Sequence, residues 1–437
     1  MFLPALLVIA AVGLVTLMLG PRSTQGPSPA ATRPDPGAPT LVFVVLDNVR
    51  ADRLSLCGHD RPTSRRLEAL VRKGASHSCH AYAPGSWTLP SHASFFTGVD
   101  VPTHGAHSLP EGGEALGRST SESVRALDGQ LPTLAEQLGD RGYQTFLVSG
   151  NPVLSAVSGL TRGFDETVIA KKFNKLHGRS LERAVGRALR RADPTRPLFL
   201  FVNIADAHQP WRRVPADVGW LPARPAFRLH ASKPDGFWQG WYRGRLATSE
   251  KVDTLGHLQD VYDYGIFRAD RTLGRVMARL EKTGWTEPGV RYVVTSDHGE
   301  FMGEHGLLDH GHYLEDENQR VLLLVGGDGA PELPDRVLSA TEAFHLVRDG
   351  ELAPGGMPVE AVTYPHRQRE AWTGGVAYGR TAAARWTRGR RLLWEDDHPR
   401  IPPELAELVG RVERSGSRNG GTSEGVLEML RAAGYVE

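Results

Sequence analysis

The stretch Leu41-Val42-Phe43-Val44-Val45-Leu46 constrains this chain more than any other, because six consecutive β-favouring apolar residues offer no polar face to water. Such a strand is buried on both sides, which requires a sheet covered by helices above and below. The rest of the chain supplies those layers. Residues 64–73 have helical spacing at Leu67, Leu70 and Val71 and stop at Gly74, and residues 131–141 repeat the pattern and stop at Gly142. Residues 143–148, 197–204, 290–295 and 322–325 read as further strands, and 257–283 as a long helix. Strands alternating with helices predict an α/β fold with a mostly parallel central sheet, whose ligands bind beyond the carboxyl ends of the strands.

Three of those ends carry metal-ligand residue types. Asp47-Asn48 follows the first strand, Asp206-Ala207-His208 follows the strand at 197–204, and Asp297-His298 follows the strand at 290–295. One Asp after a strand is usually a turn or capping residue. Three such ends arriving on one edge of a sheet point to a metal centre. Carboxylates with imidazole suit a divalent cation (Ca²⁺, Mg²⁺, Mn²⁺ or Zn²⁺), and the sequence chooses neither among these ions nor between one site and two.

The candidate nucleophile lies in Gly85-Ser86-Trp87-Thr88-Leu89-Pro90-Ser91-His92. Pro90 suits the first turn of a helix, where its missing N–H costs nothing, and the segment continues as a short helix to Gly98. Thr88 thus stands at a helix start, where free N–H groups and the helix dipole favour an anion such as phosphate or sulfate. Taken alone, Thr-x-Pro-Ser is a capped helix. With Asp47, Asp297 and His298 around the Thr88 oxygen, a metal lowers the hydroxyl pKa and makes it a nucleophile for phosphorus or sulfur. The histidine-rich stretch 304–312 adds His305, His310 and His312 as a second metal site, as oxyanion donors or as an acid for the leaving group; a polar loop with glycine turns is the plain alternative.

A length of 437 residues fits one large domain plus a small one, and 40% hydrophobic with 23% charged residues is an ordinary globular composition. The net charge of +1 and the lack of a long basic run argue against a nucleic-acid partner. Cys57 and Cys79 are the two cysteines, and whether they pair depends on a distance that sequence does not give. Residues 1–20 are uncharged and, apart from Thr16, almost wholly apolar, which suits a signal peptide or a membrane anchor. Residues 21–40, rich in Pro, Ser, Thr, Ala and Gly, read as a flexible linker. Without a basic leader or a small-x-small cleavage site, an uncleaved anchor is expected. Arg22 and Arg33 follow the segment and no basic residue precedes it, so charge bias leaves its orientation open.

Three stretches together resemble the sulfatase branch of the alkaline phosphatase superfamily: Asp47-Asn48-Val49-Arg50-Ala51-Asp52, the run from Thr88-Leu89-Pro90-Ser91-His92 to Gly98, and Ser296-Asp297-His298-Gly299-Glu300 continuing to Gly306. The resemblance covers most of residues 41–330. It implies an alkaline-phosphatase-like α/β sandwich spanning 41–340, with a small C-terminal α+β subdomain at 341–437 that bears a short antiparallel sheet. Asp47, Asn48, Thr88, Asp297 and His298 would form the metal shell, with Thr88, His208 and His92 as catalytic residues and Asn151, His310 and His312 facing the anion. The place implied is outside the cytoplasm, periplasmic or secreted, with the N-terminal segment at a membrane.

Departures from the pattern shape the expected chemistry. Sulfatases carry Cys or Ser in a C/S-x-P-S-R pattern, converted to formylglycine; Thr88 cannot be so converted, and His92 replaces the Arg. Asn48 stands where a second Asp is usual. The lysine expected after residues 143–148 is absent from Ser149-Gly150-Asn151-Pro152, and Asn151 can hydrogen-bond an oxyanion but cannot neutralise it. Relatives with Thr include phosphodiesterases, phosphatases and phospho-group transferases. The expectation is therefore a metal-dependent hydrolase of phosphate esters acting on a small anionic or glycan- or lipid-linked ester. Alternatives are a sulfuric ester hydrolase, a phospho-group transferase, or a homologue that binds anions without turnover.

Overall fold

The computed structural model describes residues 37–109, 123–173, 175–211, 218–221, 241, 247–311, 314–363, 374–378 and 383–387. Strand β1 (Thr40–Leu46) is buried along its whole length. Its side chains alternate between two apolar layers, Leu41, Phe43 and Val45 facing one and Val42, Val44 and Leu46 the other. The other strands of the sheet are β2 (Ser76–Tyr82), β3 (Gln144–Ser149), β4 (Glu166–Ile169), β5 (Leu198–Ile204), β6 (Val290–Thr295), β7 (Arg320–Gly327) and β8 (Leu338–Ser339). They lie in the order β8-β2-β7-β6-β1-β5-β3-β4. Strands β6, β1, β5, β3 and β4 are mutually parallel, β2 and β8 run the same way, and β7 runs against its neighbours β6 and β2. The strand expected at 322–325 is thus longer than its apolar run and is the reversed strand of a mostly parallel sheet.

The helices are α1 (Arg65–Arg72), α2 (Thr88–Thr97), α3 (Val101–His104), α4 (Leu134–Asp140), α5 (Gly178–Arg191), α6 (Thr248–Lys282) and α7 (Glu342–Arg348). Helices α2, α4 and α7 cover one face, packing Phe95, Phe96, Leu134 and Phe344 with Phe43, Phe199 and Phe201. Ring pairs there are edge-to-face, Phe43–Phe201 at 5.3 Å and Phe96–Phe201 at 4.8 Å, each worth about 0.5–1.5 kcal/mol beyond area burial. Helices α1, α5 and α6 cover the other face through Leu67, Leu181, Val185, Leu189, Tyr262, Ile266 and Leu273. Helix α6 begins at Thr248, earlier than expected, its first turn being polar and Val252 standing exposed. Helix α2 ends at Gly98, with φ 72 and Phe344 ring carbons at 2.5–2.9 Å from where a Cβ would stand, so glycine meets both a left-handed turn and a close approach.

Cys57 and Cys79 form a disulfide, with Cα atoms 5.8 Å apart, which ties the turn Ser55–Cys57 to β2. Helix α7, at the start of the expected C-terminal subdomain, packs Phe344, Leu346 and Val347 into the core of the large sheet. Beyond it, Glu360–Thr363, Gly374–Tyr378 and Ala383–Thr387 form a three-stranded antiparallel sheet. The expected anchor at 1–20 and the linker up to residue 36 lie outside the described residues. Among the described residues, no helix is long and apolar enough to cross a membrane.

Candidate active site

The parallel strands deliver their carboxyl ends to one edge, and the site is built there. Asp47 follows β1 and is fixed by its N–H on the Ile204 carbonyl of β5 at 3.0 Å. Its Oδ2 accepts from Asn151 Nδ2 at 2.8 Å and Asn203 Nδ2 at 2.7 Å, while Oδ1 is buried without a hydrogen-bond partner. Asn48 takes φ 62, a left-handed conformation that Asn tolerates. This turns its N–H onto Asp297 Oδ1 at 2.9 Å, across 249 residues of sequence. Its side-chain Nδ2 donates to Glu300, leaving Asn48 Oδ1 buried and unpartnered.

Asp297 and His298 follow β6. Asp297 Oδ1 accepts from the N–H groups of Asn48 and His298, and Oδ2 is buried with no hydrogen-bond partner. Burial and then the Asp47 carboxylate push the Asp297 carboxyl well above its ordinary pKa. His298 donates Nδ1–H to the Gly299 carbonyl at 3.0 Å, which leaves the Nε2 lone pair 3.4 Å from Asp297 Oδ2 and 3.4 Å from Thr88 Oγ. Burial, then the nearby His310, hold the His298 ring neutral. Thr88 is the first residue of α2, after Trp87 at the cap position, and its hydroxyl also accepts from Asn151 Nδ2 at 3.1 Å.

These contacts answer whether a cation fits. Ligand atoms of Asp47, Asp297 and His298 lie within 4.8 Å of one another. The unpartnered oxygens of Asp47, Asn48 and Asp297 have the chemistry of cation ligands, and leaving them buried without a positive charge is costly. A second group, Glu300, Asp309 and His310, is equally close, but it carries its own cation. Burial disfavours charge on His310, yet Glu300 and Asp309, with oxygens 3.2 and 3.1 Å from its Nδ1, override this and hold its pKa up to about 10. The donor set around Thr88 therefore fits a metal, whereas in the second set the His310 imidazolium offsets one of the two carboxylates.

His310 stacks on His298 with centroids 4.4 Å apart, and His208 meets His310 edge-on at 5.3 Å. His208 also stacks flat on Phe173 at 4.1 Å and bonds Nδ1–H to the Gln209 carbonyl. The histidines expected at the anion side thus form a file leading away from Thr88. His312 lies outside the described residues. His305 falls away from the site and lies 3.4 Å from Glu317. His92, expected as catalytic, reaches Thr88 through the backbone: its Nδ1–H donates to the Thr88 carbonyl at 2.9 Å, inside a ring cage of Phe95, Phe96 and Phe201. Burial pushes its pKa down to about 4 against the pull of Asp47, and its Nδ1 also lies 3.6 Å from Asp297 Oδ2.

Sequence reasoning missed Asn203, whose amide reaches Asp47 from inside β5; the signal was a polar residue within a buried apolar strand. It also missed Glu300 as the group that orients Asn48, and Asp309, which bonds Gln209 at 3.0 Å. Arg50 is the remaining omission. Its guanidinium bonds Asp52, the Glu300 carbonyl at 3.0 Å and Glu304 at 2.7 Å, joining the loop after β1 to the loop after β6.

The family model named Sulfatase matches residues 39–332. The chain belongs to the sulfatase family. An N-acetylglucosamine-6-O-sulfatase of Bacteroides thetaiotaomicron is 27% identical over 137 residues, 29% of this chain, and the match spans 23% of that protein's length. A solved protein in complex with its substrate D-glucosamine-2-N,6-O-disulfate is similar in fold, with TM-score 0.62 and 14% identity over 88% of this chain and 99% of that one. The phosphonate monoester hydrolase of Agrobacterium radiobacter gives TM-score 0.57 and 18% identity over 80% and 87% of the two chains. At these identities the structural likeness speaks for the fold. The α/β architecture expected is the one found.

Proposed function

We propose that this sulfatase-family hydrolase cleaves phosphate esters, diesters or monoesters, with Thr88 as the nucleophile and a divalent cation bound by Asp47, Asn48, Thr88, Asp297 and His298. The observation that carries this is the close grouping of ligand atoms of Asp47, Asp297 and His298, two of them bearing a buried, unpartnered carboxylate oxygen, with the His298 lone pair 3.4 Å from the Thr88 hydroxyl. When bound, the cation lowers the pKa of that hydroxyl and offsets charge on the ester oxygens. Thr88 Oγ attacks phosphorus, Asn151 donates to the developing charge, and His208 and His310 lie on the side from which a leaving alcohol departs and water enters. His92 positions Thr88 by its carbonyl. The start of α2 adds a favourable dipole for the anion.

Thr88 supports phosphate because it has one hydroxyl and cannot become formylglycine. A sulfate ester is the second reading, favoured by the family and by the sulfated sugar named for the structural relative; by the same likeness a glycan-linked ester is the substrate class we propose. Release to an alcohol instead of water would make the protein a transferase, and binding without turnover a lapsed homologue. The Cys57–Cys79 disulfide supports a place outside the cytoplasm, since such bonds persist in oxidising compartments, and we assign residues 1–20 the role of export signal or anchor. The test is an assay of aryl phosphate monoester, phosphodiester and sulfate ester on one metal-reconstituted preparation, with Thr88→Ala as control. Turnover of phosphate esters that disappears in the control is expected. Turnover favouring sulfate restores the second reading, and none at all leaves the binding protein.

A further inference from the structure

The start of α5 and the middle of α6 enclose a cavity of about 440 Å³. Five arginines line it, Arg179 and Arg183 from α5 and Arg268, Arg271 and Arg275 from α6, against a single carboxylate, Asp206. That carboxylate is already engaged. Its Oδ1 lies 2.7 Å from Arg268, and its Oδ2 accepts from the Gly178 N–H and the Thr272 hydroxyl, each at 3.2 Å. The helix start is engaged too, since Gly178 N–H is used by Asp206 and Ser180 N–H by the His177 carbonyl. The charged donors left over are guanidinium groups. Among the described residues, Arg179, Arg183, Arg271 and Arg275 make no ion pair and no hydrogen bond, Arg271 only lying over the Phe267 ring.

Two of the guanidinium groups approach Gly178. A Cβ on Gly178 would stand 3.8 Å from Arg275 Nη1 and 3.9 Å from Arg268 Nη2, so two guanidinium groups converge where a side chain is missing. Burial, then Arg271 and Arg179, lower the proton affinity of Arg275, and the carboxylates of Asp206 and Glu182 offset this only in part. Guanidinium forks match tetrahedral oxyanions in geometry as well as charge. The volume exceeds that of a bare ion and lies in the range of about 300–1,000 Å³ typical of small-ligand sites.

We propose that this cavity is a second, non-catalytic anion site that binds a phosphate or sulfate group, either as the free ion or carried on a sugar-sized ester. It is separate from Thr88 and does not depend on the chemistry proposed there. The two share only the loop after β5, in which Asp206 lines the cavity and His208 stacks on Phe173 beside His310.

The test is calorimetric titration of the full chain at low ionic strength, with and without chelator, using inorganic phosphate, inorganic sulfate, glucosamine 6-phosphate and glucosamine 6-sulfate as probes. Chelated protein should still bind one equivalent of anion, and so should a Thr88→Ala variant. The double variant Arg271→Gln/Arg275→Gln should bind about tenfold more weakly or worse, as loss of charge-assisted hydrogen bonds implies. Its melting temperature in anion-free buffer should be unchanged or higher, because repulsion is relieved; if it does not fold, Arg271→Gln alone at the rim serves, with the same loss of phosphate-induced stabilisation. Tighter binding of the sugar esters assigns the ester as ligand, and equal binding assigns the free ion. Chelated wild type that binds no anion, or a folded arginine variant that binds as wild type does, overturns the proposal. Loss of turnover with retained binding here would count against the Thr88 reading alone.

Discussion

The amide nitrogen of Asn151 lies 3.1 Å from the Thr88 hydroxyl while also donating to Asp47 Oδ2 at 2.8 Å. One side chain thus sets the spacing between the proposed nucleophile and a proposed metal ligand. Its own carbonyl oxygen is fixed by the Val153 N–H at 2.9 Å, so the amide orientation is determined. Replacing Asn151 with Ala should lower kcat by about 10²-fold, the scale for losing one donor at a developing negative charge. Steady-state kinetics with a melting curve on the same sample checks this. A variant with unchanged kcat removes Asn151 from the mechanism.

Asp47 and Asp297 face one buried volume without a protein cation between them. Metal should therefore stabilise the protein strongly, by about 3–4 kcal/mol when present at 100–1,000 times its dissociation constant. Asp297→Asn should lose stoichiometric metal by elemental analysis. The same variant should melt no lower than wild type once both are chelated, because a repulsive carboxylate has been removed. A folded Asp297→Asn protein that keeps full metal content sinks the assignment.

The parts of this site that were legible in sequence are those whose signal is local. Asp47 and Asp297 each follow a buried apolar run, and Thr88 precedes Pro90 at a helix start, so their convergence follows from a parallel sheet, whereas Asp206 at the third strand end pairs with Arg268 away from them. Strand β2 was not legible, because Ser76-His77-Ser78-Cys79-His80 is polar and half-exposed and owes its conformation to β7 and β8. Nor was the place of His92. Its neighbours Phe95 and Phe96 are on its own helix, but Phe201 comes from a strand more than a hundred residues away. Pairing of Cys57 with Cys79 likewise needed a distance that only the folded chain provides.

His104 offers a pH test remote from the proposed metal ligands. Its Nδ1 accepts from the Ala106 N–H and its Nε2 lies 3.0 Å from Ser94 Oγ, so the folded protein holds a neutral ring. Burial, followed by neighbouring His107, lowers its pKa from 6.5 to about 3. The unfolded chain then binds a proton that the folded one rejects. The stabilisation is complete above about pH 6.5 and is lost as pH falls toward 3, at up to about 1.4 kcal/mol per pH unit. Denaturation curves between these limits should be flatter for His104→Gln than for wild type. Parallel curves would show that His104 is protonated in the fold.

The disulfide closes a span of 22 residues containing α1. Replacing both Cys57 and Cys79 with Ser should cost about 2–4 kcal/mol of stability, by the usual effect of releasing a cross-link in the unfolded chain. Chemical denaturation of oxidised and reduced wild type should show the same difference. Equal midpoints would mean that the bond adds nothing to the fold.

The last prediction concerns the covalent step. A formylglycine hydrate has two hydroxyls, one to attack sulfur and one to expel sulfate by collapse to the aldehyde, so that no attack on the enzyme-bound ester is needed. Thr88 has one, and an ester on it must be broken by a second nucleophile attacking in line at phosphorus. Release is thus a separate chemical step with its own barrier, and the intermediate should accumulate when that step is slow. Mixing the metal-loaded protein with an aryl phosphodiester and quenching in acid should release the aryl alcohol and leave a phosphoryl group, still carrying the second ester, on the tryptic peptide that contains Thr88. Thr88→Ser keeps the hydroxyl and should retain measurable turnover, while Thr88→Ala should lose about 10³-fold or more. Activity that survives in Thr88→Ala would mean that water attacks the substrate directly, and that the hydroxyl beside His298 is only a ligand.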